Sequence, residues 1–254
     1  METNILTGLI ARQASRYGER AALSAPDNEG KWHDISWNRL SDDVDKASAA
    51  MAALGICEAD NIATFSANRP ENIVTDYACF NNRAASVSIY ATSSLEQLIY
   101  ILNDAGCPLL FVGNTTQYKI ARQAMQMCPN LRRIIVIKPI DIDTDDDSSM
   151  LWSDFMELGA NASSEIRNLV KSRISSATPD DIATLVYTSG TTGEPKGAIL
   201  PHSNYETFSQ NLGTEHIHVG RTCWMVDCMS CGSRLTATLI PLTRQKYVHP
   251  FSKM

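Results

Sequence analysis

Apolar positions recur along the chain with two alternating periods, and that alternation predicts helices separated by short strands. Ile5, Leu6, Leu9, Ile10, Ala14 and Tyr17 fall at helical spacing, and Gly18 closes the run. Two strand-like runs follow, 21–25 and 31–37, split by the turn residues Pro26-Asp27-Asn28-Glu29-Gly30. Leu40, Val44, Ala47, Met51 and Leu54 mark the stripe of a second helix that Gly55 ends. Residues 62–66 predict a buried strand, and Pro70 suits the first turn of the helix after it. A further strand is predicted at 85–90. Ser93-Ser94-Leu95-Glu96 then reads as a capping box ahead of Leu98, Ile99, Ile101 and Leu102, with Gly106 at the far end. Strands at 109–112 and 134–137 flank a helix near 116–127, and helices near 149–158 and 164–174 lead to Pro179-Asp180-Asp181.

Strands separated by helices of this length imply right-handed crossovers. The expected fold class is therefore α/β, a layered α/β/α body with a mainly parallel sheet. At 254 residues, 44% hydrophobic and 20% charged, the chain suits a folded protein. Its net charge of −6 argues against general attraction to nucleic acid or anionic membrane. No apolar run approaches the roughly 18 residues of a bilayer span, so no transmembrane segment is expected, while peripheral membrane contact stays open. Met1-Glu2-Thr3-Asn4 lacks the basic start of a secretory signal. Seven cysteines, an odd number, read as reduced thiols in the cytoplasm. Of these, Cys57, Cys79, Cys107 and Cys128 read as small buried hydrophobes, and Trp32, Trp37 and Trp152 as core or core-edge aromatics.

Two stretches invite a metal reading and decline it. Asp141-Ile142-Asp143-Thr144-Asp145-Asp146-Asp147 begins like a calcium loop, but Asp146 stands where the turn needs glycine and Trp152 where a bidentate Glu belongs. A solvated acidic loop is expected. Cys228-Met229-Ser230-Cys231 has neither the further zinc ligands nor the helix start of a redox pair. No metal site is expected in this chain.

The chemistry concentrates after the apolar strand Ile182-Ala183-Thr184-Leu185-Val186-Tyr187. That strand runs into Thr188-Ser189-Gly190-Thr191-Thr192-Gly193-Glu194-Pro195-Lys196-Gly197, and Ala198-Ile199-Leu200 resumes an extended pattern. Gly190, Gly193 and Gly197 let backbone N–H groups approach an anion and permit φ > 0. Thr188, Ser189, Thr191 and Thr192 offer hydroxyl donors, and Lys196 a compact cation. Together they describe a polyphosphate cradle. It is not a Walker A loop, because Lys196 follows Pro195 and precedes Gly197. A hydroxyl-rich surface hairpin is the plainer alternative.

At these residues the sequence resembles the adenylate-forming (AMP-binding) superfamily, whose phosphate-loop signature Tyr-Thr-Ser-Gly-Thr-Thr-Gly-x-Pro-Lys-Gly is matched by residues 187–197. Ile89-Tyr90-Ala91-Thr92-Ser93-Ser94, Tyr100-Ile101-Leu102-Asn103-Asp104 and Ala67-Asn68-Arg69-Pro70-Glu71 look like the long-chain fatty acyl-CoA synthetases. The resemblance covers about residues 1–215. It implies an acid–thiol ligase that converts a long-chain fatty acid to acyl-adenylate and then acyl-CoA, using ATP, Mg²⁺ and coenzyme A. In that family the loop holds the β- and γ-phosphates. Carried over, Thr188, Ser189, Gly190, Thr191, Thr192, Gly193, Lys196 and Gly197 would make those contacts.

The resemblance also sets out what this sequence does not contain. No Tyr-Gly-x-Thr-Glu segment, whose glutamate helps hold Mg²⁺ in the family, follows residue 197, nor does a ribose-binding aspartate motif or the C-terminal lysine domain. No residue here is therefore assigned a catalytic role. Residues 220–254 carry Arg221, Arg234, Arg244, Lys246 and Lys253 against Asp227 alone, a sharp change from the acidic body. Residues 1–216 are thus expected to form an incomplete N-terminal adenylation domain. Residues 217–254 would be an atypical tail, non-native or disordered, as a shifted reading frame would give. Two other functions stay open: an inactive remnant that at most binds ATP or pyrophosphate weakly, and an amino-acid or aryl-acid adenylating module. A body cut at this point would leave sheet edges and core faces without partners.

Overall fold

The predicted strand–helix alternation builds one sheet covered on both faces. The computed structural model describes residues 5–27, 29–140, 142, 147–188 and 195–205, with the backbone of 223–224 and 245–246. Helix α1 (Leu9–Tyr17) precedes an antiparallel hairpin of β1 (Ala21–Pro26) and β2 (Trp32–Ser36), and α2 (Trp37–Ala53) follows. Then come β3 (Asn61–Phe65), α3 (Pro70–Asn81), β4 (Ala85–Ile89), α4 (Leu95–Asp104), β5 (Leu109–Val112), α5 (Thr115–Met125) and β6 (Arg133–Val136). The described body closes with β7 (Ser149–Leu151), α6 (Trp152–Ala160), α7 (Ser164–Ser176), β8 (Ile182–Thr188) and β9 (Lys196–Pro201). The seven-stranded sheet runs β7-β6-β5-β3-β4-β8-β9, parallel throughout except for β9, which is antiparallel to β8.

Side-chain alternation along the strands divides the core in two. Ile62, Leu109, Phe111 and Ile135 face a layer made by α1, α2, α3 and α6, with α7 outside them against α2 and α3. Ala63, Phe65, Leu110, Val112, Ile134 and Val136 face α4 and α5. This is the expected α/β/α arrangement, with strands buried on both faces. Among the described residues no helix is long and apolar enough to cross a membrane.

Local chemistry explains most element boundaries. Pro70 sits at the start of α3, and the Ser36 and Asn114 side chains accept from the backbone N–H groups of Arg39 and Gln117 at the starts of α2 and α5. The α4 capping box lies one residue beyond its predicted place. Ser94 is the cap and Gln97 returns the bond to its backbone, because Ser93 N–H is already taken by Tyr90 C=O.

Several expectations are corrected. Residues 149–151 pair with β6 as a strand before α6 begins, because main-chain pairing at the sheet edge outweighs a helical pattern this short. Trp32 is 45% exposed because β1 and β2 form a hairpin of their own outside the main sheet. Cys57 is exposed, in the turn leaving α2, whereas Cys79, Cys107 and Cys128 are buried free thiols. Trp37 is buried, and Trp152 packs edge-on against Phe111. Asp141 and residues 143–146 of the acidic stretch, the Cys228–Cys231 pair and nearly all of the tail lie outside the described residues.

Polar groups tie the segment leading to β8 onto the body. Buried Arg173 of α7 donates through Nη1 to Ile56 C=O at 3.0 Å and to Asn82 Oδ1 at 2.7 Å. Arg83 then clasps Asp181 with two bonds, Nε to Oδ2 at 2.7 Å and Nη2 to Oδ1 at 2.9 Å, and reaches Glu58 at 2.7 Å. Such a bidentate guanidinium–carboxylate pair is directional, so it fixes where β8 begins.

Candidate functional site

The phosphate-loop candidate is the connection between β8 and β9. Antiparallel register places Tyr187 opposite Gly197 and Thr188 opposite Lys196. Thr188 and Lys196 are exposed. Because β8 runs parallel to β4, the loop opens at the carboxyl edge of the sheet, where α3, α4 and α5 also begin. Open α/β sheets bind ligands along this edge. Ser189, Gly190, Thr191, Thr192 and Gly193 lie outside the described residues, so the structure places three of the eight candidates: Thr188, Lys196 and Gly197.

Gly197 has a role that its spacing did not reveal. It lies within β9, outside the left-handed region, and the space beside it is taken by Tyr187. A Cβ there would sit 3.0 Å from Tyr187 Cζ and 3.3 Å from its Oη. Any larger residue at this position would push against that aromatic ring.

In a doubly wound sheet the usual ligand crevice lies where neighbouring strands send their helices to opposite faces. Here that point falls between β3 and β5, and hydrogen bonds among the protein's own polar groups line it. Gln117 Oε1 accepts from Gly113 N–H at 3.0 Å, and Gln117 Nε2 donates to Ala91 C=O at 3.2 Å. Arg69 Nη1 donates to Gly113 C=O at 3.0 Å. A Cβ on Gly113 would meet Ser66 Oγ at 2.5 Å. These bonds tie the ends of β3 and β5 to each other and to the starts of α3 and α5.

His202 follows β9 directly. It is 1% exposed, packs edge-to-face on Phe80 with centroids 5.4 Å apart, and its backbone N–H donates to Asp181 C=O at 3.0 Å. This is a packing role. Burial pushes the imidazole down to about 4, with Asp181 opposing. The folded state therefore holds it neutral, and the unfolded chain binds the extra proton between pH 6.5 and about 4. Stability from this group is full above pH 6.5 and declines as pH falls to about 4, by at most about 3 kcal/mol. Asp181, lowered to about 2 first by its bonds to Arg83, loses its contribution only at more acid pH. Urea titrations from pH 7 to 4 should show a falling midpoint that His202→Gln flattens; equal slopes for both proteins contradict this.

Among the described residues no group of three or more His, Cys, Asp or Glu side chains could hold a metal ion.

The sequence pattern of the family described as "AMP-binding enzyme" matches residues 10–251. The Xenopus laevis long-chain-fatty-acid–CoA ligase ACSBG2 is 28% identical over 196 residues, covering 77% of this chain and 26% of that protein. Long-chain-fatty-acid–CoA ligase FadD15 of Mycobacterium bovis is 31% identical over 179 residues, covering 69% of this chain and 28% of the relative. The chain thus spans about a quarter of the length of the curated relatives it matches. The N-terminal domain of FACL13 from Mycobacterium tuberculosis superposes with a TM-score of 0.73 at 15% identity, covering 96% of this chain and 57% of that one. The anthranilate CoA ligase AuaEII, solved with anthranoyl-AMP, gives 0.72 at 19% identity, covering 87% of this chain and 39% of that one. At these identities the two structures speak to the fold alone.

Proposed function

The chain belongs to the AMP-binding enzyme family, and on that premise we propose that it is the phosphate-holding part of a ligase that activates a long-chain fatty acid. The acid's carboxylate attacks the α-phosphate of ATP, the bond to the β-phosphate breaks, and acyl-adenylate and pyrophosphate form. The thiol of coenzyme A then attacks the activated carbonyl and releases AMP. The observation that supports this reading is the hairpin register, which pairs exposed Thr188 with exposed Lys196 at the carboxyl end of β8.

The work of these residues is to hold and neutralise. Lys196 and the hydroxyls of Thr188, Ser189, Thr191 and Thr192 would donate to the β- and γ-phosphate oxygens. Backbone N–H groups at Gly190, Gly193 and Gly197 would add donors that need no reorganisation. Charge grows on the departing pyrophosphate as the bond breaks, so donors fixed there favour the transition state. The fatty-acid class is supported by the curated relatives and by the 89–94 and 100–104 segments. A cytoplasmic setting suits the buried free thiols Cys79, Cys107 and Cys128.

The test is exchange of labelled pyrophosphate into ATP by the 254-residue chain, with palmitate, anthranilate or no acid. Exchange that depends on palmitate supports the fatty-acid class. Exchange with anthranilate instead overturns the substrate class. Pyrophosphate binding without any exchange assigns the chain the inactive holding role.

A further inference from the structure

We propose that Tyr187 is a positioning residue for the phosphate-gripping loop, tethering the base of that loop to the end of α4 through Asp104. The inference rests on reading residues 188–197 as the pyrophosphate holder. Tyr187 Oη donates to Asp104 Oδ2 at 2.5 Å, across 83 residues of sequence. The tyrosine is 5% exposed, in the core layer shared with α4, and its ring lies over Gly197 on the opposing strand.

Two features say why a tether is needed here. Pairing of β8 with β4 stops at Ser88–Val186, whereas pairing with β9 continues to Thr188–Lys196. Beyond Val186 the ladder that carries the loop has only two strands, and an isolated two-stranded hairpin is marginal in water. Asp104 is also the last residue of α4, the helix end where the macrodipole disfavours a carboxylate. Its bond to a phenol O–H gives a reason for an acid in that place. The tether meets the chain one residue before Thr188, so it sets the direction in which the first loop hydroxyl leaves the sheet.

Tyr187→Phe removes the hydroxyl and keeps the ring on Gly197. It should weaken binding of inorganic pyrophosphate by up to about tenfold, the ceiling set by the worth of one hydrogen bond to a charged group. It should also speed amide exchange at 187–198 while leaving 62–65 and 109–112 unchanged. Asp104→Ala should reproduce both effects. Asp104→Asn, which keeps an acceptor oxygen, should restore affinity to within about twofold, and the Tyr187→Phe/Asp104→Ala pair should be no worse than either alone. A lower melting midpoint with unaltered affinity would reduce the tether to a structural contact and overturn the proposal. So would unaltered exchange at 187–198. Wild-type chain that binds pyrophosphate with Tyr187→Phe unaffected sinks the tether alone, while wild-type chain that does not bind pyrophosphate sinks the phosphate-holding reading with it.

Discussion

Gly159→Ala is expected to lower the thermal midpoint by roughly 10 °C or to abolish cooperative unfolding, a loss of about 3 kcal/mol or more. At position 159 α6 crosses α2 with no room for a side chain. A Cβ would lie 1.9 Å from the backbone oxygen of Lys46, 2.7 Å from its carbonyl carbon and 3.1 Å from the Ala50 nitrogen. None of these atoms can rotate away as a side-chain tip could, so the helices themselves must separate. Separation would loosen the packing around fully buried Phe155, Ala47 and Ala50. Helix propensity alone predicts the opposite sign, a gain of up to about 1 kcal/mol for alanine over glycine. The direction of the shift in a circular-dichroism melt therefore separates the two effects, and an unchanged or raised midpoint contradicts the close crossing.

Lys196→Ala should act on binding and leave folding alone. The side chain is exposed and, among the described residues, forms no ion pair or hydrogen bond, so its removal leaves no buried group unsatisfied. The melting midpoint should stay within about 1 °C, as for other surface changes. Pyrophosphate affinity should fall about 30-fold, because a bond between an ammonium and a phosphate is worth about 2 kcal/mol. Lys196→Arg keeps the charge and should retain most of the affinity. Calorimetric titration with pyrophosphate measures all three proteins, and equal affinities would remove Lys196 from the site.

The parts of the fold legible in the sequence are those set by neighbours in the chain. Pro70 opens α3, the Leu40–Leu54 stripe gives α2, and the apolar runs 62–65, 109–112 and 134–136 are strands of the buried sheet. The loop candidate stands out for the same reason: its glycines, hydroxyls and lysine fall within eleven consecutive residues. What stayed hidden depends on groups far apart in sequence. Arg83 meets Asp181, Tyr187 meets Asp104, and Gly159 meets Lys46. None of these pairs shares a helical or strand period. Gly197 stands out in the sequence as a loop glycine, but the ring that crowds its Cβ position belongs to the opposite strand. Ser149–Leu151 was read as helix because three residues give no period to measure, and only β6 supplies the partner.

The most direct test of the central claim is a ¹H–¹⁵N NMR titration of the 254-residue chain with inorganic pyrophosphate, following every backbone amide. The account predicts that shifts gather at 188–198 and at the neighbouring end of β4, with Gly113, Asn114 and Gln117 unmoved, the Gly113 and Gln117 amides being bonded within the protein. Shifts centred on Gly113 and the starts of α3 and α5, with 188–198 silent, would place the anion elsewhere and contradict it.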